Sequence, residues 1–469
     1  MTPLVACLFG TEASRALDRV LPLVFVFCAL PLMVFIALAA PPGQSPDEPA
    51  HVIRAASLLE GQIVGARGPV IQAGELQEPT ATVLANVALP LVAFAGTGRG
   101  QYYGADAHAL VHRITWATRP HRVDAPNTAS YAPFLYIPAA LGMAAMQLSG
   151  YSPYDAFIAA RCADAACYAL LGAVALFLAR RGKLVLFGVL LLPTALWLGG
   201  TVHPDGLMIG LSVLSAALLT GAEQSRARLW AAAIALGLVI LARPPLIPLA
   251  LLIAVPLGLR RSAGPVLTAA LPGLLWAGFV MPRASVPFVH GRPAPGGPLW
   301  YGDSHRLFAA TNPGVQAHIL LFHPGLMLTL PLTTLLGEWL RLVDELFRVV
   351  GQLNLRLPVF IGALGVASVL AGVLAMGRDP ANRRWKWLAG VAALTIIAIY
   401  DAQYISWTLV GSTIVQGVQG RYFFELIPFL ALAGAPRPSR SFWAIPALAL
   451  AACGFVAVPL AVLQGYYVK

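Results

Sequence analysis

The sequence predicts an all-α protein that crosses a membrane many times. Three observations carry that reading. The 469-residue chain is 58% hydrophobic and only 11% charged, where soluble domains carry about a quarter charged residues. Its mean hydropathy is +0.75. Apolar runs recur from end to end at the length needed to cross about 30 Å of hydrocarbon, roughly 17–25 residues. A transmembrane β-barrel would show short alternating segments instead.

The spans are delimited by basic punctuation. Arg15 and Arg19 precede a first span at 20–40. Arg180, Arg181 and Lys183 separate 156–179 from 184–200, and Arg226 and Arg228 separate 206–222 from 229–242. Arg260 and Arg261 separate 245–259 from 265–281. Arg378, Arg383, Arg384 and Lys386 separate 357–376 from 388–405, and Arg437 and Arg440 separate 422–435 from 442–463. Every second loop is thus basic. The positive-inside rule then places the N-terminus in the cytoplasm and, after eleven spans, the C-terminus on the outer, periplasmic side.

Residues 80–96, 131–149 and 316–350 are also apolar enough to enter the membrane, as paired spans or as helices lying in the interface. The expectation is therefore about 11–13 spans. Residues 338–350 alternate charged and apolar side chains at helical spacing, which suits an interfacial helix. Ala37-Leu38-Ala39 looks like a signal-peptidase site, but the apolar stretch before it is longer than the roughly 7–15 residues of a signal-peptide core. A retained helix is expected.

The whole chain, 1–469, reads as one integral membrane domain with two large outer loops, 41–155 and 282–356. All nine histidines (His51, His108, His112, His121, His203, His290, His305, His318 and His323) fall outside or at the outer membrane edge. The net charge of +11, from 31 basic and 20 acidic residues, is spread in short clusters. That argues for orientation signals and against a nucleic-acid partner. The five cysteines, Cys7, Cys28, Cys162, Cys167 and Cys453, are odd in number and lack metal-ligand spacing, so they read as small packing residues. No P-loop, dinucleotide fingerprint or zinc spacing is present, which disfavours a cytosolic nucleotide-driven mechanism.

Polar residues gather at a few places on the outer side. Directly after the first span comes Ser45-Pro-Asp-Glu-Pro-Ala-His-Val-Ile-Arg54. Carboxylates cost heavily near hydrocarbon, so Asp47 and Glu48 need a reason to be there. One reason is local: Ser45 as N-cap, Pro46 at N1 and Glu48 at N3 would form a capping box. That leaves Asp47, His51 and Arg54, which share a helical face, for chemistry or substrate contact.

Further along the chain, His203-Pro-Asp-Gly206 lies between two spans, and Asp205 either caps the next helix or adds a carboxylate to a site with Asp47. Arg243, before Pro244-Pro245, is a cation in an outer turn, placed for a lipid phosphate or for snorkelling. In Gln416-Gly-Val-Gln-Gly-Arg-Tyr-Phe-Phe-Glu425, Arg421 and Glu425 stand at pairing distance on a helix. There Gly417 and Gly420 permit a close turn, and Tyr422 suits an interface anchor. Asn127–Tyr136 is an aromatic, proline-containing entry into an apolar segment, and Arg161 and Asp164 suit a structural pair.

Pro46-Asp47-Glu48-Pro49-Ala50-His51 with Arg54, then His203-Pro204-Asp205, Arg243-Pro244 and Gly420-Arg421-Tyr422, resemble a bacterial family of predicted membrane proteins. That family is marked by its PDEPAH segment and is grouped with the GT-C glycosyltransferase superfamily. The resemblance runs over most of the chain, and its first motif is the most specific. It implies a GT-C-like bundle in the bacterial inner membrane. The implied activity transfers a sugar from a polyprenyl-phosphate donor to a glycan or lipid acceptor of the cell envelope. On this basis Asp47 and Glu48 correspond to the acidic motif of the first outer loop. His51, Arg54, His203, Asp205, Arg243, Arg421 and Tyr422 would contact substrate, and Arg243 and Arg421 are the candidates for the donor phosphate. Some members hold a divalent metal such as magnesium or manganese at the acidic motif, here Asp47, Glu48 and Asp205. Two other functions fit the composition: a transporter or flippase for a lipid-linked glycan, and a non-catalytic scaffold for such glycans.

Overall fold

The computed structural model describes residues 11–68, 71–72, 75–76, 80–87, 102–125, 128–284, 312–376, 384–434 and 441–468. Cys7, Asn127, His290, His305, Arg378, Arg383, Arg437 and Arg440, singled out above, lie outside the described residues.

The first helix, α1 (Thr11–Ala39), shows how the bundle is made. Leu21, Phe25 and Ala29 are buried, while Leu23 and Phe27 on the other side are exposed. One stripe packs inward and the other presents hydrocarbon to lipid, as a peripheral membrane helix must. Among the described residues, six helices are long and apolar enough to cross a membrane: Ala16–Ala39, Pro153–Leu178, Leu259–Ala284, Leu326–Phe347, Arg384–Ser406 and Phe442–Tyr466. The all-α polytopic class is thus borne out.

The expected 11–13 spans are not all delivered as long helices among the described residues: Arg226–Ala242 and Val359–Ala375 are unbroken helices of 17 residues, and elsewhere proline divides the segment. Segment 184–200 is delivered as two short helices, α2 (Lys183–Leu190) and α3 (Pro193–Gly199), divided before Pro193. After α3 the chain bends by 116° into α4 (Pro204–Leu219). Proline lacks an N–H and disfavours helix in the residue before it, so Pro193 and Pro204 each begin a helix rather than continue one. Segment 245–259 contains an eleven-residue 3₁₀ helix, Pro244–Ala254, with Pro248 inside. Segment 422–435 lies almost wholly in a fourteen-residue 3₁₀ helix, Gly420–Ala433, with Pro428 inside. A 3₁₀ helix rises about 2.0 Å per residue, so fourteen residues reach about 28 Å.

Parts of the ambiguous segments are also described, although residues 88–96 lie outside the described residues. Residues 80–85 form the middle strand of a three-stranded antiparallel sheet with Ala66–Gly68 and His121–Asp124, not a membrane segment. The charged stretch from Glu338 continues α5 (Leu326–Phe347), a single 22-residue helix, instead of forming an interfacial helix of its own. Arg341 pairs there with Glu338 and Glu345, each at 2.5 Å. Residues 131–149 enter through a 3₁₀ turn, Pro133–Tyr136, into the twelve-residue helix Ile137–Leu148. This helix lies close along Pro153–Leu178: a Cβ on Gly142 would stand 2.5 Å from the Ala159 carbonyl oxygen.

Candidate functional site

The segment 45–54 folds differently from the capping box expected of it. The helix α6 (Glu48–Leu59) begins at Glu48, and its N-cap is Asp47, which makes no side-chain capping bond. Asp47 adopts the left-handed conformation, φ 55°. Asp47 and Leu353 are the two non-glycine residues with positive φ among the described residues. Ser45 is turned elsewhere, and its hydroxyl accepts a 2.9 Å hydrogen bond from Thr201. The αL turn sends the two neighbouring carboxylates in different directions.

Glu48 is fully buried and forms a two-pronged pair with Arg161, also fully buried. Arg161 Nε donates to Oε1 at 2.8 Å and Nη2 to Oε2 at 2.7 Å. The backbone N–H groups of Gly43 and Val202 complete the carboxylate at 2.9 and 3.1 Å. Arg161 also donates to the carbonyls of Ala37, Ala40 and Pro41, the C-terminal end of α1 and the turn after it. The expected Arg161–Asp164 pair is thus replaced by a longer-range one. Arg54 is likewise removed from substrate contact. Its guanidinium is buried and donates to Ser57 Oγ and to the carbonyls of Gln62, Ile63 and Tyr131, tying α6 to the loops around it.

The structure brings the other predicted residues together. Asp47, half exposed, accepts from Arg421 Nη2 at 3.1 Å. Arg421 Nη1 lies 2.5 Å from His203 Nε2, and its Nε lies 3.7 Å from Asp205 Oδ2. His203 Nδ1 accepts from the Asp205 backbone N–H at 3.1 Å, so His203 caps α4. Asp205 Oδ1 accepts from Arg243 Nη2 at 2.5 Å. Arg243 Nη1 donates to Glu425 Oε1 at 3.2 Å. The anticipated Arg421–Glu425 pair is therefore split between two other partners. Tyr422 lies under both cations, its ring centre 4.9 Å from the Arg243 guanidinium carbon and 5.5 Å from that of Arg421. Gly420 makes the approach possible, because a Cβ there would meet the Leu342 carbonyl at 2.3 Å.

His51 completes the group. It is buried, its ring centre 4.5 Å from that of His203 in an edge-on contact, and Nδ1 is 2.9 Å from the Tyr136 hydroxyl. Burial, opposed by Asp47, pushes its pKa down to about 4, so His51 is neutral at pH 7. Tyr136 and Glu425 are the residues that sequence reasoning did not place in the site. Glu425 carried a signal, a lone carboxylate in an apolar segment, but its helical neighbour Arg421 offered a nearer partner.

This network is unfinished. Asp205 Oδ2, Glu425 Oε2 and Arg421 Nε are buried without a hydrogen-bond partner. Arg421 Nε and Asp205 Oδ2 face each other as an ion pair at 3.7 Å, and Glu425 Oε2 has no such partner, so this cluster is less completely matched than the one around Glu48. Arg243, with 20% of its side chain exposed, is the more accessible of the two cations. A divalent metal on Asp47, Glu48 and Asp205 does not fit. Both oxygens of Glu48 are committed to Arg161 and backbone N–H groups, and one oxygen of Asp205 to Arg243. Among the described residues no three His, Cys, Asp or Glu side chains converge as metal ligands.

A family model described as a predicted membrane protein, DUF2142, matches residues 30–430. Comparison with curated proteins and with solved structures finds no match. The match spans the acidic motif, the helix break at Asp205 and both arginines. The chain therefore belongs to the DUF2142 family of predicted membrane proteins.

Proposed function

We propose that this protein is a GT-C-type glycosyltransferase of the bacterial inner membrane. It takes a sugar from a polyprenyl-phosphate donor and passes it to a glycan or lipid acceptor on the periplasmic face. The observation that carries this reading is the line Asp47–Arg421–Asp205–Arg243–Glu425, in which a half-exposed carboxylate, two buried carboxylates and two arginines alternate.

Transfer breaks the bond between the anomeric carbon and the phosphate oxygen and forms one to an acceptor hydroxyl oxygen. The hydroxyl proton needs a base, and Asp47 is the carboxylate open to solvent. The departing phosphate carries developing negative charge, which Arg243 and Arg421 are placed to stabilise. Phosphate would share each guanidinium with the carboxylate it already holds. Glu48, although adjacent to Asp47, holds the scaffold.

A second reading, movement of a lipid-linked glycan across the membrane, draws support from the 116° helix break that carries His203 beside Asp205. Broken helices line the sites of many transporters. Purified full-length protein incubated with polyprenyl-phosphate sugars separates the two. The transferase reading expects sugar transfer that Asp47→Asn abolishes at unchanged folding and that Arg243→Lys, which keeps a cation beside the buried Asp205 and Glu425, reduces. Lipid movement without transfer would replace it, and transfer untouched by both substitutions would remove the site assignment.

A further inference from the structure

The helix Ala105–His112 carries a second constellation, remote in role from the arginine network. His108 and His112 are both exposed and stand at i, i+4, with their Nε2 atoms 3.3 Å apart. Two metal–nitrogen bonds of about 2.0–2.1 Å at a tetrahedral angle place their nitrogens about 3.3–3.4 Å apart. The two rings share a hydrogen bond at this distance, which is also the spacing that one ion would impose.

The rings are also held. Tyr154 packs edge-on against His112 at 4.5 Å and lies 6.3 Å from His108, whose other neighbour is Tyr103 at 6.1 Å. The close contact with Tyr154 orients His112, and the hydrogen bond between the rings aligns His108 with it. We propose that His108 and His112 form a site for a late first-row divalent ion of the zinc and copper class, bound through both Nε2 atoms. Imidazole suits those ions, whereas magnesium and manganese favour oxygen ligands. Among the described residues no third His, Cys, Asp or Glu joins the pair. The remaining coordination positions fall to water, leaving an open ion on the surface of the first outer loop.

The test is titration of the tag-free, full-length protein in detergent with zinc ion alone, followed by copper(II) electron paramagnetic resonance. One ion per chain is expected, with hyperfine coupling to two nitrogens. His108→Asn and His112→Asn each weaken zinc binding by roughly tenfold or more. Because both rings are exposed, the thermal transition of the metal-free variants stays at the wild-type value, so loss of binding reports on the ligands. No zinc uptake by the wild type, or equal uptake by the double variant, would overturn the site.

Discussion

Asp47 and Glu48 are consecutive residues that serve two contrasting charge clusters. Around Glu48 everything is matched: two guanidinium bonds, two backbone N–H groups, and three carbonyls taking the remaining Arg161 donors. Around Asp47 the matching is looser: Arg421 Nε and Asp205 Oδ2 pair only at 3.7 Å, Glu425 Oε2 has no hydrogen-bond partner, and Asp47 itself is half exposed. A buried ionic cluster whose members are all satisfied fixes a structure, and a missing partner costs several kcal/mol. A cluster left unfinished keeps that capacity for a ligand.

The largest effect should come from breaking the closed cluster. Arg161→Ala strands a buried carboxylate and frees the carbonyls at the end of α1. A loss of about 3–5 kcal/mol is expected, large enough to deplete folded protein from membranes. Thermal unfolding followed by size-exclusion chromatography measures it. The double variant Glu48→Gln, Arg161→Met should recover part of the loss, because no bare charge remains. An Arg161→Ala protein as stable as wild type would erase the distinction between the clusters.

The open cluster should answer in activity instead. Asp47→Asn keeps the size and the left-handed preference but removes the base, so transfer should fall about 10²–10⁴-fold. Its pair with Arg421 is half exposed on the Asp47 side, so stability should change by no more than about 1 kcal/mol. Parallel activity and melting measurements decide this. A stability loss as large as that of Arg161→Ala would make both clusters structural.

The contrast was only half visible in the chain itself. Asp47, His203, Asp205, Arg243, Arg421 and Tyr422 could be grouped because basic punctuation put their loops on one side of the membrane. The pairings within that group were not legible. Local spacing favours Arg161 with Asp164 and Arg421 with Glu425, whereas the fold joins Arg161 to Glu48 and Arg243 to Glu425, 113 and 182 residues apart. Sequence separation hides such contacts, and a one-residue αL turn at Asp47 decides which carboxylate goes where. The form of the spans was hidden for a related reason. Hydropathy registers apolar length, but Pro193, Pro204, Pro248 and Pro428 divide that length into short or 3₁₀ pieces.

His51 offers a smaller, pH-dependent probe of the open cluster. Its pKa falls from 6.5 to about 4 on burial. Above pH 6.5 the ring is neutral both folded and unfolded, and its stability contribution is fully present. Between pH 6.5 and 4 only the unfolded chain takes the proton, so stability falls with pH, by at most about 3 kcal/mol. In melting curves from pH 7.5 to 4.5, His51→Asn should flatten that slope. An unchanged slope would place the acid sensitivity elsewhere.

The smallest expected shift is the most selective. Asp47→Gly removes the carboxylate from a backbone position, φ 55°, that glycine adopts freely. The half-exposed pair with Arg421 is lost, at no more than about 1 kcal/mol, while the αL penalty of a side chain, also about 1 kcal/mol, is relieved. The two nearly cancel, so the melting temperature should match wild type while transfer falls as far as in Asp47→Asn. If Asp47→Gly keeps activity, the turn geometry and the direction it gives to Glu48 are what the site requires. If it loses activity at full stability, the oxygen atoms of Asp47 are required, and the neighbouring carboxylate cannot replace them because Arg161 and two backbone N–H groups already hold it.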